Sequence, residues 1–197
     1  MDPHSDVAAF ILAGGRSTRM GTDKAFVTFE GRTLLARALN VTRAVTSDVR
    51  IVGDPLKFSP FATVVEDIVP GCGPLAGIHA ALRASPAEFN LILAVDMPFV
   101  SPALLQFLIS RAEHSATTVT VPRSAQGWQP LCAVYRPRFA DAAEEALHAG
   151  RYKIDALFAP LDTQAIEEQE LERAGFSATA FRNLNTPEEL AQAREER

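Results

Sequence analysis

Apolar and polar positions divide this chain into short blocks, and the blocks alternate in kind. Val7 to Leu12 is continuous rather than alternating in polarity, and it stops abruptly at Gly14-Gly15. A run of that length predicts a strand covered on both faces. Leu91-Ile92-Leu93-Ala94-Val95 has the same character and ends in Asp96, so it reads as a central parallel strand. Asp48 to Val52 and Ala62 to Val65 predict two further strands, the first closing at Gly53-Asp54-Pro55 and the second at Glu66-Asp67. Ala25 to Phe29 predicts a short strand closed by a turn at Glu30-Gly31.

Helices fall between the strands. Thr33 is placed to cap a helix carrying Leu34, Leu35, Ala38 and Leu39 on one face. A short helix or turn follows at 56–60. Pro74 suits the first position of a helix that runs through Ile78 to Ala84, and Ser101-Pro102 starts another ending near Glu113. Beyond that, 117–121 predicts a strand, 122–130 a polar loop carrying Trp128, and 131–135 a strand. Helices follow at 138–149, stopped by Gly150, and at 154–158, then an edge strand at 163–166. Thr186-Pro187-Glu188-Glu189 is a capping box with proline at its first helical position. Strands alternating with helices over the first 110 residues predict a right-handed, mostly parallel α/β sheet, to which the later region adds antiparallel elements. One domain is expected over 1–197.

Composition changes this picture little. At 197 residues and 47% hydrophobic content the chain can bury a sizeable core. A net charge of -5 argues against a nucleic-acid surface, and no apolar run approaches a bilayer's thickness. The acidic first residues lack the basic start of a signal peptide, so the expected place is the cytoplasm. Cys72 and Cys132 form no Cys-x-x-Cys pair, and the four histidines have no metal-ligand spacing.

The chemistry concentrates where strands end. After Gly14-Gly15 come three cations, Arg16, Arg19 and Lys24. Paired glycines let the backbone approach a ligand closely, and the freed amides with the cations make a polyphosphate site. The spacing is neither that of a P-loop nor that of the dinucleotide fingerprint. Ligands of open α/β sheets bind outside the carboxyl ends of the strands. Asp96 terminates a wholly apolar strand and would be costly to bury unpaired. It reads either as a helix cap or turn, or as a Mg²⁺ ligand facing phosphate oxygens; the cost of burial favours the second. Arg16, Arg19 and Lys24 would hold a triphosphate and stabilise departing pyrophosphate. No side chain stands out as a general base. A phosphate monoester, with a second pKa of about 6, is already largely dianionic and can attack an α-phosphate without one.

The stretch from Leu12 to Lys24 resembles the signature of nucleotidyltransferases with a Rossmann-like sheet. Gly73-Pro74-Leu75-Ala76-Gly77, Asp96-Met97-Pro98, Gln129-Pro130-Leu131 and Asn185-Thr186-Pro187-Glu188 narrow the resemblance to the molybdenum cofactor guanylyltransferases, across essentially the whole chain. It implies a three-layer sandwich like that of the nucleotide-diphospho-sugar transferases. The donor part spans about 7–110 and the acceptor part about 117–197. It further implies GMP transfer from GTP to the terminal phosphate of molybdenum-molybdopterin, with Mg²⁺ as cofactor and transient contacts with cofactor-delivering and cofactor-accepting proteins. Carried over by position, Leu12, Ala13, Gly14, Gly15, Arg16, Lys24, Asp67, Gly77 and Asp96 meet the nucleotide. Asp96 also holds the metal, and Arg19, Lys24 and Asp96 are catalytic. Asn183, Asn185 and Lys153 face the acceptor, with Arg151 beside them. Asn183 and Asn185 serve equally well as helix-entry hydrogen-bond groups, and Lys153 as a surface charge. Family members carry an asparagine at the end of the second strand, where this chain has Val52 or Gly53 with Asp54 beyond. Cytidylyl transfer and a non-catalytic nucleotide-binding regulator are the alternatives.

Overall fold

The computed structural model describes residues 6–14, 23–69 and 71–195. Strand β1 (Val7–Leu12) is buried at every position, as its unbroken apolar run requires. Asp23 then caps a 3₁₀ turn, Lys24–Phe26, by accepting from the Ala25 amide at 3.2 Å. That turn takes the first half of the strand predicted at 25–29. Only β2 (Thr28–Phe29) and β3 (Arg32–Thr33) pair, around left-handed Glu30 (φ 49) and Gly31 (φ 76). Helix α1 (Leu34–Arg43) begins where the sequence places it, with Thr33 Oγ1 accepting from the Ala36 amide at 3.1 Å. Thr33→Ala is expected to cost about 1 kcal/mol, read from the urea midpoint at unchanged m-value.

The chain continues through β4 (Asp48–Val52), α2 (Pro55–Phe58), β5 (Thr63–Val65), α3 (Pro74–Arg83), β6 (Phe89–Ala94) and α4 (Pro102–Glu113). After these come β7 (Val119–Ser124), β8 (Gly127–Trp128), β9 (Cys132–Tyr135), α5 (Phe139–His148), β10 (Thr163–Glu167), α6 (Glu168–Arg173) and α7 (Pro187–Glu195). Residues 122–130 are less of a loop than their polarity predicts, because β7 runs on to Ser124 and turns back as β8. Pro122 is tolerated there because it falls between the residues paired with β9 and those paired with β8 and contributes only its carbonyl, which accepts from the Gln129 amide at 2.9 Å. Helix α6 and a 3₁₀ turn at Ala178–Phe181 have no counterpart in the sequence reading. Each buries one large apolar side chain, Leu171 and Phe181, too few to set a period.

Among the described residues the main sheet runs β10-β7-β9-β6-β1-β4-β5, with β8 on β7. The strands β5, β4, β1 and β6 are mutually parallel, β9 is antiparallel to both neighbours, and β10 is parallel to β7. This is the mostly parallel sheet expected from the alternation of blocks. Successive β1 residues face opposite layers. Val7, Ala9 and Ile11 meet α1, α4 and the end of the chain, whereas Ala8, Phe10 and Leu12 meet α3 and α5. From β1 the chain moves outward to β4 and β5, then crosses back to place β6 on the other side of β1. The strand order reverses between β1 and β6, so the crevice beyond Leu12 and Ala94 is the topological switch point.

Helices α3 and α5 are joined by Arg83, whose guanidinium pairs with Asp141 (2.9 Å) and Glu144 (2.5 Å). Its Nε also donates to His79 Nε2 at 3.4 Å. The His79 ring is buried, and its Nδ1 has no partner among the described residues. Burial lowers its pKa, with Arg83 acting in the same direction and Glu144 opposing. A histidine kept neutral by folding withholds a proton that the unfolded chain takes up near pH 6.5. Its contribution is therefore complete above about pH 6.5 and is lost as pH falls toward the depressed native value. Between pH 7.5 and 5 the melting temperature of His79→Leu should fall less than that of the parent.

Candidate active site

Three strand ends and one late segment meet at the switch point. At the end of β1, the amides of Ala13 and Gly14 both donate to the Val52 carbonyl, at 3.0 and 3.1 Å, and the Val95 amide donates to the Leu12 carbonyl at 3.1 Å. These bonds tie the ends of β1, β4 and β6 together and leave Gly14 exposed above them. A Cβ on Gly14 would come no nearer than 3.8 Å to any protein atom shown around it, an ordinary contact. Packing among the described residues does not demand glycine there.

Gly53 and Gly77 are different. A Cβ on Gly53 would lie 2.8 and 2.9 Å from the ring of Phe58, the buried last residue of α2. The strand end at Gly53 is thus closed by an aromatic ring, and Asp54 is spent capping α2 through the Leu56 amide at 2.9 Å. Gly77 is buried where α3 crosses the ends of β1 and β4; a Cβ there would lie 3.4 Å from Leu12 and 3.6 Å from Val52. It shapes the floor of the crevice through packing. Asp67 ends the β5 segment half-buried, with Oδ1 accepting from the Val69 amide at 3.0 Å.

The centre is Lys24. Its 3₁₀ turn is anchored by fully buried Ala25, and Asp23 is itself held by Lys57 at 2.9 Å. From that turn Lys24 Nζ donates to Asp96 Oδ2 at 2.7 Å and to Asn185 Oδ1 at 2.5 Å. The Lys24 and Asp96 side chains retain 22% and 15% of their surface, so the pair is shielded but reachable. Asp96 is fixed from behind, since its carbonyl accepts from the Leu184 amide at 2.9 Å. That bond brings the Asn183–Asn185 segment alongside β6. The capping box then holds Asn185 in place. Glu189 N donates to Thr186 Oγ1 at 3.1 Å, and Glu189 Oε2 accepts from the Asn185 amide at 2.5 Å.

Asn183 Oδ1 is buried without a hydrogen-bond partner among the described residues. Lys153 lies elsewhere. Its side chain is 79% exposed and its ammonium pairs with Asp155 at 3.3 Å. It belongs to the α3–α5 layer, whereas Leu184 packs in the opposite layer. The three residues expected to face one acceptor are therefore divided between the two layers, and Lys153 is not brought to Asn183 and Asn185. Trp128 plugs the sheet edge, packing edge-on against Phe158 (5.2 Å between centroids) under the Arg123 guanidinium. Burial pushes the Cys132 thiol up to about 12, which leaves it inert. Gly15, Arg16 and Arg19 lie outside the described residues.

Asp96 Oδ2 already accepts a cation at a shielded strand end, so the chemistry of this place suits a divalent ion. Among the described residues no three His, Cys, Asp or Glu side chains gather into a cage. No helix among them is long and apolar enough to cross a membrane.

A glycine-ended strand and a lysine brought to an aspartate across the switch point make the layout of a nucleotidyltransferase of the nucleotide-diphospho-sugar transferase fold. Residues 9–166 match the family model described as the MobA-like NTP transferase domain, and the chain belongs to that family. It is 37% identical to the molybdenum cofactor guanylyltransferase of Desulfosudis oleivorans, over 95% of this chain and 94% of that one. It is also 37% identical to a probable molybdenum cofactor guanylyltransferase of Natronomonas pharaonis, over 94% and 95%. Molybdopterin-guanine dinucleotide biosynthesis protein A of Archaeoglobus fulgidus superposes with a TM-score of 0.84 at 29% identity, covering 96% of this chain and 97% of the other. The 2-C-methyl-D-erythritol 4-phosphate cytidylyltransferase of Thermus thermophilus gives 0.71 at 21% identity, over 97% and 98%, a likeness of fold alone.

Proposed function

We propose that this chain transfers GMP from GTP to the terminal phosphate of molybdenum-molybdopterin and releases pyrophosphate. The observation that carries this reading is the 2.7 Å contact between Lys24 and Asp96 at the switch point. It puts a phosphate-seeking cation and a metal-seeking carboxylate at one spot. The names of the relatives at 37% identity supply the guanylyl group and the acceptor.

In this reading the exposed backbone at Gly14 lies against the nucleotide, and Lys24 holds its phosphates. Arg16 and Arg19 of the same loop add charge to the triphosphate. An oxygen of the acceptor phosphate attacks the α-phosphorus. The bond to the β-phosphate breaks, and its electron pair leaves with pyrophosphate, whose charge the cations stabilise. No protein base is required, because the acceptor oxygen is already ionised. Asp96 would hold Mg²⁺, which supplies Lewis-acid neutralisation of phosphate charge. A GTP donor supports a cytoplasmic reaction. Residues of about 7–110 serve the donor and those of about 117–197 the acceptor. Both parts work as one domain, because β6 lies between β1 and β9 in a single sheet.

Pyrophosphate release is the test, with GTP, Mg²⁺ and molybdopterin-loaded donor protein, run beside CTP and ATP. GTP alone should support turnover; equal or better turnover with CTP would make this a cytidylyltransferase, and none with any nucleotide would make it a binding protein. Gly14→Ala adds a finer check. The methyl has room among the described residues and removes backbone freedom from the unfolded chain, so melting should hold or rise slightly. GTP affinity should nevertheless fall by about tenfold or more, since only a close-lying ligand would meet that Cβ.

A further inference from the structure

Lys24 does not lie free in the crevice; it sits in a seat made by two oxygens. A lysine ammonium is only a donor, so whatever faces it at 2.7 and 2.5 Å must present lone pairs. This settles the orientation of the Asn185 amide, whose oxygen points to the same spot as the Asp96 carboxylate. An asparagine turned to receive an acceptor phosphate would present its NH₂ group instead. The convergence is built into the backbone, through the Leu184 amide on the Asp96 carbonyl and the Asn185 amide on Glu189. It does not depend on a long flexible side chain finding its place.

Two hard oxygens directed at one cation are also a fit for Mg²⁺ or Mn²⁺. Such sites use one or two carboxylates with substrate phosphates rather than a full protein cage. Where no cluster of three acids, histidines or cysteines gathers among the described residues, a neutral amide oxygen is a natural second ligand. Metal–oxygen bonds of about 2.0–2.1 Å are shorter than the two ammonium contacts, so both side chains need close by only about half an ångström each. The ammonium lies between the two oxygens, in the space a divalent ion held by both would fill, and the repulsion of two cations at that distance makes them compete for it.

We propose that Asp96 Oδ2 and Asn185 Oδ1 together form the metal seat, and that Lys24 occupies it as an internal cation until a triphosphate draws the ammonium away. Asn185 is then a metal ligand rather than an acceptor contact. Nucleotide and metal bind with positive coupling, because each favours the arrangement in which Lys24 has left, and the coupling is reciprocal. The inference rests on the nucleotidyltransferase reading above.

The test is Mn²⁺ binding, followed by the paramagnetic resonance of free Mn²⁺ and by calorimetry, with and without GTP. GTP binding in EDTA is measured separately. Lys24→Met should bind Mn²⁺ alone about tenfold or more tightly than the parent, and GTP should enhance its Mn²⁺ affinity less. Asn185→Ala should weaken Mn²⁺ binding by about tenfold in the presence of GTP, while Asn185→Asp should restore or exceed the parent's affinity. Melting curves show that each variant is folded, and Asn185→Ser stands in for alanine if the latter is not. Mn²⁺ affinity unchanged in the Asn185 variants, or unchanged on removing the Lys24 ammonium, would overturn the shared seat while leaving the transferase reading intact. A parent chain that binds no GTP with or without Mn²⁺ would remove the reading on which the seat rests.

Discussion

Asp96→Asn is expected to release pyrophosphate about 10²–10³-fold more slowly than the parent while melting within a degree or two of it. The activity loss has the size seen when one preorganised electrostatic group aimed at a developing charge is removed. The stability change is small for a separate reason. Among the described residues the carboxylate's side-chain bond is to Lys24, in a pair that keeps part of its surface, and such pairs contribute about 0–1 kcal/mol. An asparagine oxygen can still accept from the ammonium, and the backbone bond from Leu184 to residue 96 is untouched. Turnover and melting must therefore separate. A variant retaining activity within threefold of the parent would show that this carboxylate does not serve the reaction, and a fall in both together would make Asp96 a structural residue.

Gly53→Asn is expected to destabilise the fold. The new Cβ would lie 2.8 and 2.9 Å from the Phe58 ring. That ring cannot swing aside, being 1% exposed and stacked on Phe26 at 5.8 Å between centroids. Overpacking of this kind costs about 1–3 kcal/mol, and in a chain of this size each kcal/mol lowers the melting temperature by about 2–4 °C. The effect is specific to one partner. In a Phe58→Ala background, itself expected to cost about 3–5 kcal/mol, Gly53→Asn should cost markedly less than in the parent, by about 1 kcal/mol or more. Additive costs would mean that the ring is not the obstacle. The contrast with Gly14→Ala tests two reasons for glycine within one crevice: at 53 the neighbour is protein, and at 14, in the proposed reading, it is the nucleotide.

Much of this fold is legible along the chain. Val7 to Leu12 and the Leu91–Val95 run announce buried strands because each residue there is apolar, and both lie at the sheet's centre. Thr33, Pro74 and Ser101 mark helix starts because the signal for a cap is local. Legibility fails where structure depends on distant partners. The 3₁₀ turn at Lys24–Phe26 replaces a predicted strand because Asp23 caps it and Ala25 is drawn into the core. The hairpin at 122–130 exists because β10 and β9 support β7, and nothing within those nine residues encodes either neighbour.

The same division holds for the crevice. Lys24 and Asp96 are recognisable singly, by a cationic glycine loop and by a carboxylate ending an apolar strand, but their contact spans 72 positions. Asn185 is visible in the sequence as part of a helix entry, and its contact with Lys24 spans 161 positions. By itself the sequence determined which residue types stand at the strand ends and, through periodicity and capping, that those ends belong to a mostly parallel sheet. Only the tertiary structure decided which of them meet: Lys24 with Asp96 and Asn185, Phe58 against Gly53, Lys153 away in the other layer. Local patterns fix backbone conformation over a few residues, whereas the partner of a side chain depends on strand order and crossover, which bring together segments that share no local signal.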